Sequence, residues 1–553
     1  MKKFLILALL FTIRASAQCA GVTSCTAASN SPTDVQAAIN TVNQQNTTLN
    51  IPPGTGSVNW GSAVNYTNQF ALTVNCGGSV ATTSGSGNLS TNPATYTDVL
   101  TITDTFGGST PTLLLSGTSG SAQLNRITGC TFKSNTAKIV VQISGKRISG
   151  QGGFRFDHNH CINVNPCVRA FSFGVADHNI FDAQGNEVAN GVQAFAGLGG
   201  SLYGVATQFG SDQFVFLENN LFLNGFGNDC NGGSKYVARY NTLTATLNAS
   251  GTFQGHATGN TQSTQFRGCR ASEVYGNVFT NTFSGGAFAA SNPYSGTLIQ
   301  WGNSVTGYKQ DLFINNDRDQ LQTNYTQVAP PNGWGYCGTF QTGVNSAWDG
   351  NANLNGSNGA PCLDQPGRGQ SDLISSDFPT ACDSASSDCT NHVYTGRWPN
   401  QALEPDYIWN ETISCSGCSS GPQMAAISSP GNNVINNRDY YFQCGSFNST
   451  CSGGFTGTAG VGSGLLSARP ATCTAGQGGT FYTGPSGFGS PGVAYWATDT
   501  TTLYVCTATN TWTAYYTPFT YPHPLVGAQD ATPTATGTMF AGQITSQGSV
   551  TLP

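Results

Sequence analysis

Between Gly129 and Val305 one short pattern keeps returning: two or three residues of strand type, an Asn, then a hydrophobic pair. It reads Arg155-Phe156-Asp157-His158-Asn159-His160-Cys161-Ile162, then Val175-Ala176-Asp177-His178-Asn179-Ile180-Phe181. It returns around Asn220, Asn241, Asn277 and Asn303, and the gaps between the six Asn are 20, 41, 21, 36 and 26 residues. A period of this length, with insertions or degenerate copies in the longer gaps, is the mark of a stacked-repeat chain. Each unit buries its apolar side only against its neighbours, so such a chain outgrows the size limit of an ordinary single core. Stacked strands lie about 4.8 Å apart. Identical amides at that spacing can bond up the stack, and Asn tolerates the left-handed backbone of a tight turn. The ladder Asn therefore read as scaffold. Phe181, Phe222 and Phe279, each two places after an Asn, are expected to point inward and stack.

Composition excludes a helical body. Charged residues are 8% of the chain, too few to solvate the outer faces of long helices. The exception is near the start, where Val35, Ala38, Ile39 and Val42 recur on one helical face after Ser31 or Thr33 as N-cap. A strand and turn, Thr48-Leu49-Asn50-Ile51-Pro52-Pro53-Gly54-Thr55, follow. A helix there would cover the apolar end of the first coil.

Asp34-Val35-Gln36-Ala37-Ala38-Ile39-Asn40 followed by Ile51-Pro52-Pro53-Gly54-Thr55 resembles the N-terminal cap of right-handed parallel β-helix proteins of the pectate-lyase-like superfamily. The Asn register resembles their coils. The resemblance covers residues 32–320 well and the rest weakly. It implies an all-β, right-handed parallel β-helix with a helical cap and three strands per coil. It also implies that the strand before the Asn-bearing strand lines the binding groove.

Residues 1–17 read as a signal peptide: Lys2 and Lys3, an apolar run from Phe4 to Ile13, then Ala15-Ser16-Ala17. The run is too short to span a bilayer, and Cys19 sits in a poor lipid-anchor context. The product is expected to be secreted or periplasmic. All 18 Cys lie beyond that point, which suggests disulfides. The natural pairs are Cys161–Cys167, Cys382–Cys389, Cys444–Cys451 and Cys473–Cys506. Cys415 and Cys418 are the one Cys-x2-Cys pair, with no matching second pair for zinc. The β-helix is expected over 18–320, a Cys-rich extension with last strand-like coils over 321–454, a small module of antiparallel aromatic strands over 455–525, and a flexible tail over 526–553.

Thirteen Lys and Arg fall between Arg126 and Arg318 against 10 acids, a local excess of three positive charges. Such a face can attract an anionic polymer. Eliminative cleavage of a uronic-acid polymer needs a group that neutralises the carboxylate and a base for the neighbouring proton. By repeat phase and the resemblance, Arg267 and Arg270 bind the carboxylate, with His256 or Lys235 as base. Arg169, Arg239 and Tyr275 are the substrate-binding candidates, and Asp212, Asp229 and Glu273 the candidate calcium ligands. The Asp157-His158 and Asp177-His178 pairs lie one coil apart and can stack. The Arg-x-Pro-x-x-Arg of pectate lyases and the carboxylate motifs of polygalacturonases are missing. Two readings stay open: a polysaccharide lyase on an acidic extracellular glycan, and a non-catalytic glycan-binding or adhesin-like protein. Nothing points to nucleic acid or to a membrane span.

Overall fold

The strand-type residues of each repeat form short strands, and the computed structural model of the chain stacks them into three parallel sheets. It describes residues 19–81, 95–106, 108–117, 123–134, 139–146, 153–185, 190–196, 202, 206–230, 232–248, 251–255, 268–316, 364–371, 401–418, 423–428, 434–443, 454–476 and 491–527. Among these, sheet I has 12 strands and sheets II and III have 10 each. One coil runs through Phe154–Asp157 in sheet I, His160–Ile162 in sheet II and Val168–Ala170 in sheet III. It then returns to sheet I at Gly174–Asp177. The all-β solenoid expected from the repeats is present.

The Asn ladder is continuous. The side-chain amide of each Asn donates to Oδ1 of the next, from Asn159 through Asn179, Asn220, Asn241 and Asn277 to Asn303, at 2.9–3.2 Å. The second amide hydrogen goes to a main-chain carbonyl one coil back, such as Phe156 O for Asn179 and Leu217 O for Asn241. The stack ends on Glu411, whose Oε1 accepts from Asn303 at 3.0 Å. Each bond contributes about 0.5–1.5 kcal/mol net, and a buried group left unpaired costs about 1–3 kcal/mol.

One expectation changes. The left-handed residue is not the ladder Asn but its predecessor: His158, His178, Asn219 and Tyr240 have φ of 54–56°. The amide must enter the buried ladder, so the chain reversal falls on the residue before it, whose side chain stays partly exposed. Phe181 and Phe222 stack at 4.8 Å as expected. Phe279 instead meets Phe253 edge-on, because Leu243 intervenes between it and Phe222.

The helix Pro32–Ile39 closes the first coil. Ser31 is the N-cap, accepting from the Asp34 N–H, and Val35, Ala38 and Ile39 are buried. At the other end the solenoid resumes at Asp406–Trp409. This strand pairs in parallel with the previous coil, Ile299 beside Tyr407 and Trp301 beside Trp409. Cys161–Cys167 and Cys473–Cys506 form as expected, and Cys415–Cys418 is also a disulfide. Three further pairings were not among those expected: Cys19–Cys25, as close in sequence as Cys161–Cys167, and the distant pairs Cys76–Cys130 and Cys230–Cys269. Cys382, Cys389, Cys444 and Cys451 lie outside the described residues. No described helix is long and apolar enough to cross a membrane.

The C-terminal module is a four-stranded sheet: Val461–Gly464, Ala494–Ala497, Thr502–Ala508 and Thr511–Tyr516. The last three strands pair antiparallel as expected, and Val461–Gly464 adds a parallel edge to them. It buries Trp496, Leu503, Val505 and Tyr516 against Ile299, Tyr407, Trp409 and Tyr441 of sheet I. The chain then runs on through Phe519 to a short helix, Pro524–Gly527, whose Leu525 packs with Val175 and Phe216. Most of the expected tail, from residue 528, lies outside the described residues.

Candidate functional site

Alternation along each strand sends one set of sheet I side chains outward. In register these form two columns. One runs Arg126, Arg155, Val175, Phe216, Val237, Glu273, Ile299 and Tyr407. The other runs Thr128, Asp157, Asp177, Glu218, Arg239, Tyr275, Trp301 and Trp409. The expected groove lay on this face, around Lys235 to Tyr275. The loop through residues 206–214 and the protein's own C-terminal stretch occupy it.

Arg239 is fully buried. Its guanidinium holds Glu218 at 2.7 Å and donates to Tyr275 Oη at 3.0 Å. It also donates to the main-chain carbonyls of Phe519 and Thr520 at 2.7 and 2.9 Å. Burial alone would lower the Arg239 pKa, but Tyr275 and Glu218 outweigh that and raise it. Glu218 accepts from the His523 N–H at 2.9 Å. Glu273 accepts from the Gly210 N–H at 2.8 Å and from Tyr516 Oη at 2.9 Å. Burial pushes its carboxyl up to about 7 against these two donors. Gly210 itself has φ of 72°, and a Cβ there would run into the Thr517 carbonyl oxygen. Lys235 is buried, donating to Thr207 O at 2.9 Å with its ammonium 4.6 Å over the Phe214 ring. Arg270 grips Glu404 through two nitrogens at 2.8 and 3.1 Å.

Lys235, Arg239, Arg270, Glu273 and Tyr275 thus share one face, but each is at most 1% exposed. They anchor protein segments instead of facing solvent. A charged group is stable under a cover only when paired, and this is what the chain supplies. Arg267 and His256 lie outside the described residues. The three carboxylates considered for calcium do not converge. Glu273 is taken up by its two donors, Asp229 is on sheet III, and Asp212 is in the loop entering Val215–Glu218. Calcium takes six to eight oxygens. No group of three or more His, Cys, Asp or Glu among the described residues could hold a metal ion.

Arg169 lies elsewhere, on the outer face of sheet III. Gln142, Arg169 and Gln193 are register partners there, followed by Asp229. Arg169 donates to Gln193 Oε1 at 2.6 Å and Gln193 donates to Asp229 Oδ2 at 2.8 Å. Phe171 and Phe195 stack at 5.8 Å beside the row, and the Arg169 guanidinium sits 4.8 Å over Phe195. Partial burial lowers the Arg169 pKa, with Asp229 acting against it. The described residues on which the C-terminal module packs include none from this sheet.

A further arrangement sits at the N-terminal end of the sheet I face. Arg126 forks onto Asp157 at 2.7 and 2.6 Å, and Arg155 forks onto Asp177 at 2.9 Å through both nitrogens. Each Asp also takes the Nδ1 of the next residue, His158 at 2.8 Å and His178 at 2.9 Å. Burial pulls the Asp157 carboxyl up, but Arg126, His158 and Arg155 outweigh it and hold it well below the usual range. Asp177 is likewise lowered, by His178 and Arg155. With both carboxylates ionised, Nδ1 is the protonated nitrogen of each ring. The two imidazoles stack at 5.3 Å and 6°. Their Asp-His spacing was legible in the sequence. The diagonal Arg partners were not singled out, although Arg155-Phe156-Asp157 places both charges on one strand face.

No family model, no curated protein and no solved structure matches this chain.

Proposed function

We propose that this chain is a secreted β-helix protein that binds an extended acidic polysaccharide and does not cleave it. The supporting observation is the state of the expected catalytic face. Lys235, Arg239 and Arg270 are buried and paired beneath protein, while Arg169 remains partly exposed on sheet III. Planar polar side chains one coil apart, beside stacked Phe171 and Phe195, suit an extended chain of hydroxyl- and carboxylate-bearing rings. The right-handed coiling and the kinship with the pectate-lyase-like superfamily belong to this reading. Parallel strand crossovers are right-handed in about 98% of cases. The disulfides fit export to an oxidising compartment.

The test is affinity electrophoresis and calorimetry on a panel of uronic-acid polymers, with absorbance of unsaturated products followed in parallel. Retention that is lost in Arg169→Ala, with no new absorbance, supports the proposal. New absorbance would shift the assignment to a polysaccharide lyase. Absence of retention on every polymer would remove the glycan reading.

A further inference from the structure

The stacked imidazoles have a chemistry that glycan binding does not use. His158 and His178 occupy equivalent left-handed turn positions on adjacent coils, so their rings lie side by side along the solenoid. Each ring is oriented from behind by a buried carboxylate on Nδ1, and each carboxylate is fixed by a forked arginine. That arrangement ties Nδ1 of each ring to its carboxylate and leaves Nε2 as the nitrogen that faces away from it. Their side chains are 26% and 22% exposed. The Nε2 atoms of His160 and His523, by contrast, are buried.

From this geometry we infer that His158 and His178 form a surface site for one divalent transition-metal ion, bound through both Nε2 atoms. A carboxylate on the far nitrogen is the usual support of a metal-binding imidazole, because it fixes the tautomer and raises the basicity of the ligating nitrogen. Here both ligands carry that support, and the Arg126 and Arg155 forks hold the supports in turn. An ion at about 2.0–2.1 Å from each nitrogen draws the two to within about 4 Å of each other. The rings, 5.3 Å apart at their centroids, meet this by leaning together at their outer ends. Water fills the remaining positions. Two neutral imidazoles suit copper, nickel or zinc and not calcium, and Cu2+ should bind more tightly than Ni2+ or Zn2+. The inference is independent of the glycan reading.

The experiment is titration of untagged full-length protein with Cu2+, read by calorimetry and by electron paramagnetic resonance. The expected result is one ion per chain with two nitrogen ligands in the spectrum. Single variants His158→Gln and His178→Gln should each weaken binding at least tenfold. A second measurement needs no variant: Cu2+ should protect His158 and His178 from carbethoxylation in peptide mass spectrometry. Unchanged affinity in both variants, or equal modification with and without the ion, overturns the site.

Discussion

The two ends of the sheet I outer face carry the same kinds of side chain and use them differently. At the N-terminal end Arg126, Arg155, Asp157 and Asp177 satisfy one another within the face, and His158 and His178 remain at the solvent. At the C-terminal end the charges reach outward to the cover. Arg239 bonds two carbonyls of residues 519 and 520, Glu218 the His523 N–H, and Glu273 the Tyr516 hydroxyl. The difference follows from what lies between the charges. Coils beyond Asp177 place Phe216, Val237, Ile299, Tyr407, Trp301 and Trp409 outward, an apolar strip that cannot stay in water. The module's Trp496 packs against Trp301 and Trp409 at 5.0 and 5.2 Å. Once covered, the charges among those rings must find partners on the cover.

The largest expected effect separates two arginines of this one face. Arg239→Met leaves Glu218 buried without its cation and frees two carbonyls, and should cost about 3–5 kcal/mol in urea unfolding. Arg126→Met, at the open end, should cost about 1.5–3 kcal/mol, because Asp157 keeps Arg155 and His158 nearby. Equal losses would erase the distinction. Next in size, Tyr516→Phe removes a donor to Glu273 and should cost about 1–3 kcal/mol. Hydrogen exchange should place that loss in residues 491–527 and not in the ladder strands.

A pH series sharpens the same contrast. Burial raises the Glu273 carboxyl from 4.5 to about 7, so the folded state holds that proton more tightly than the unfolded chain. Its stabilisation is complete below pH 4.5 and is lost as pH rises through 7. Burial lowers His523 to about 3, so this group destabilises docking progressively as pH falls below 6.5. Docking of the module should therefore be firmest at mildly acidic pH. In Glu273→Gln the loss on the alkaline side should flatten, as read by hydrogen exchange across pH 4–8. The smallest effect on stability belongs to sheet III. Arg169→Ala should change unfolding by at most about 1 kcal/mol, as for a partly exposed polar contact, while weakening glycan retention.

The scaffold was legible because its causes are local and repeated. The Asn register, the Asp34-to-Asn40 cap and the inward Phe positions each appear several residues apart, and all three recur in the fold. The Asp-His stacking was legible for the same reason. The cover was not. Its partners, Arg239 with Phe519 and Glu273 with Tyr516, are separated by 280 and 243 residues. A single strand such as Lys235–Arg239 shows which side chains share a face but not what lies on that face. The aromatic segment from Val493 to Tyr516 was legible as a module. It was open whether its rings met sugar or protein, and the excess of outward aromatics at Trp301, Tyr407 and Trp409 was the available sign of a protein partner.

The cover itself is tested most directly by lysine reactivity. Native full-length protein treated with an acylating reagent and mapped by mass spectrometry should label Lys133, Lys146 and Lys309, which are exposed, and spare Lys235, which is fully buried. Labelling of Lys235 at a rate comparable to the other three would contradict the account.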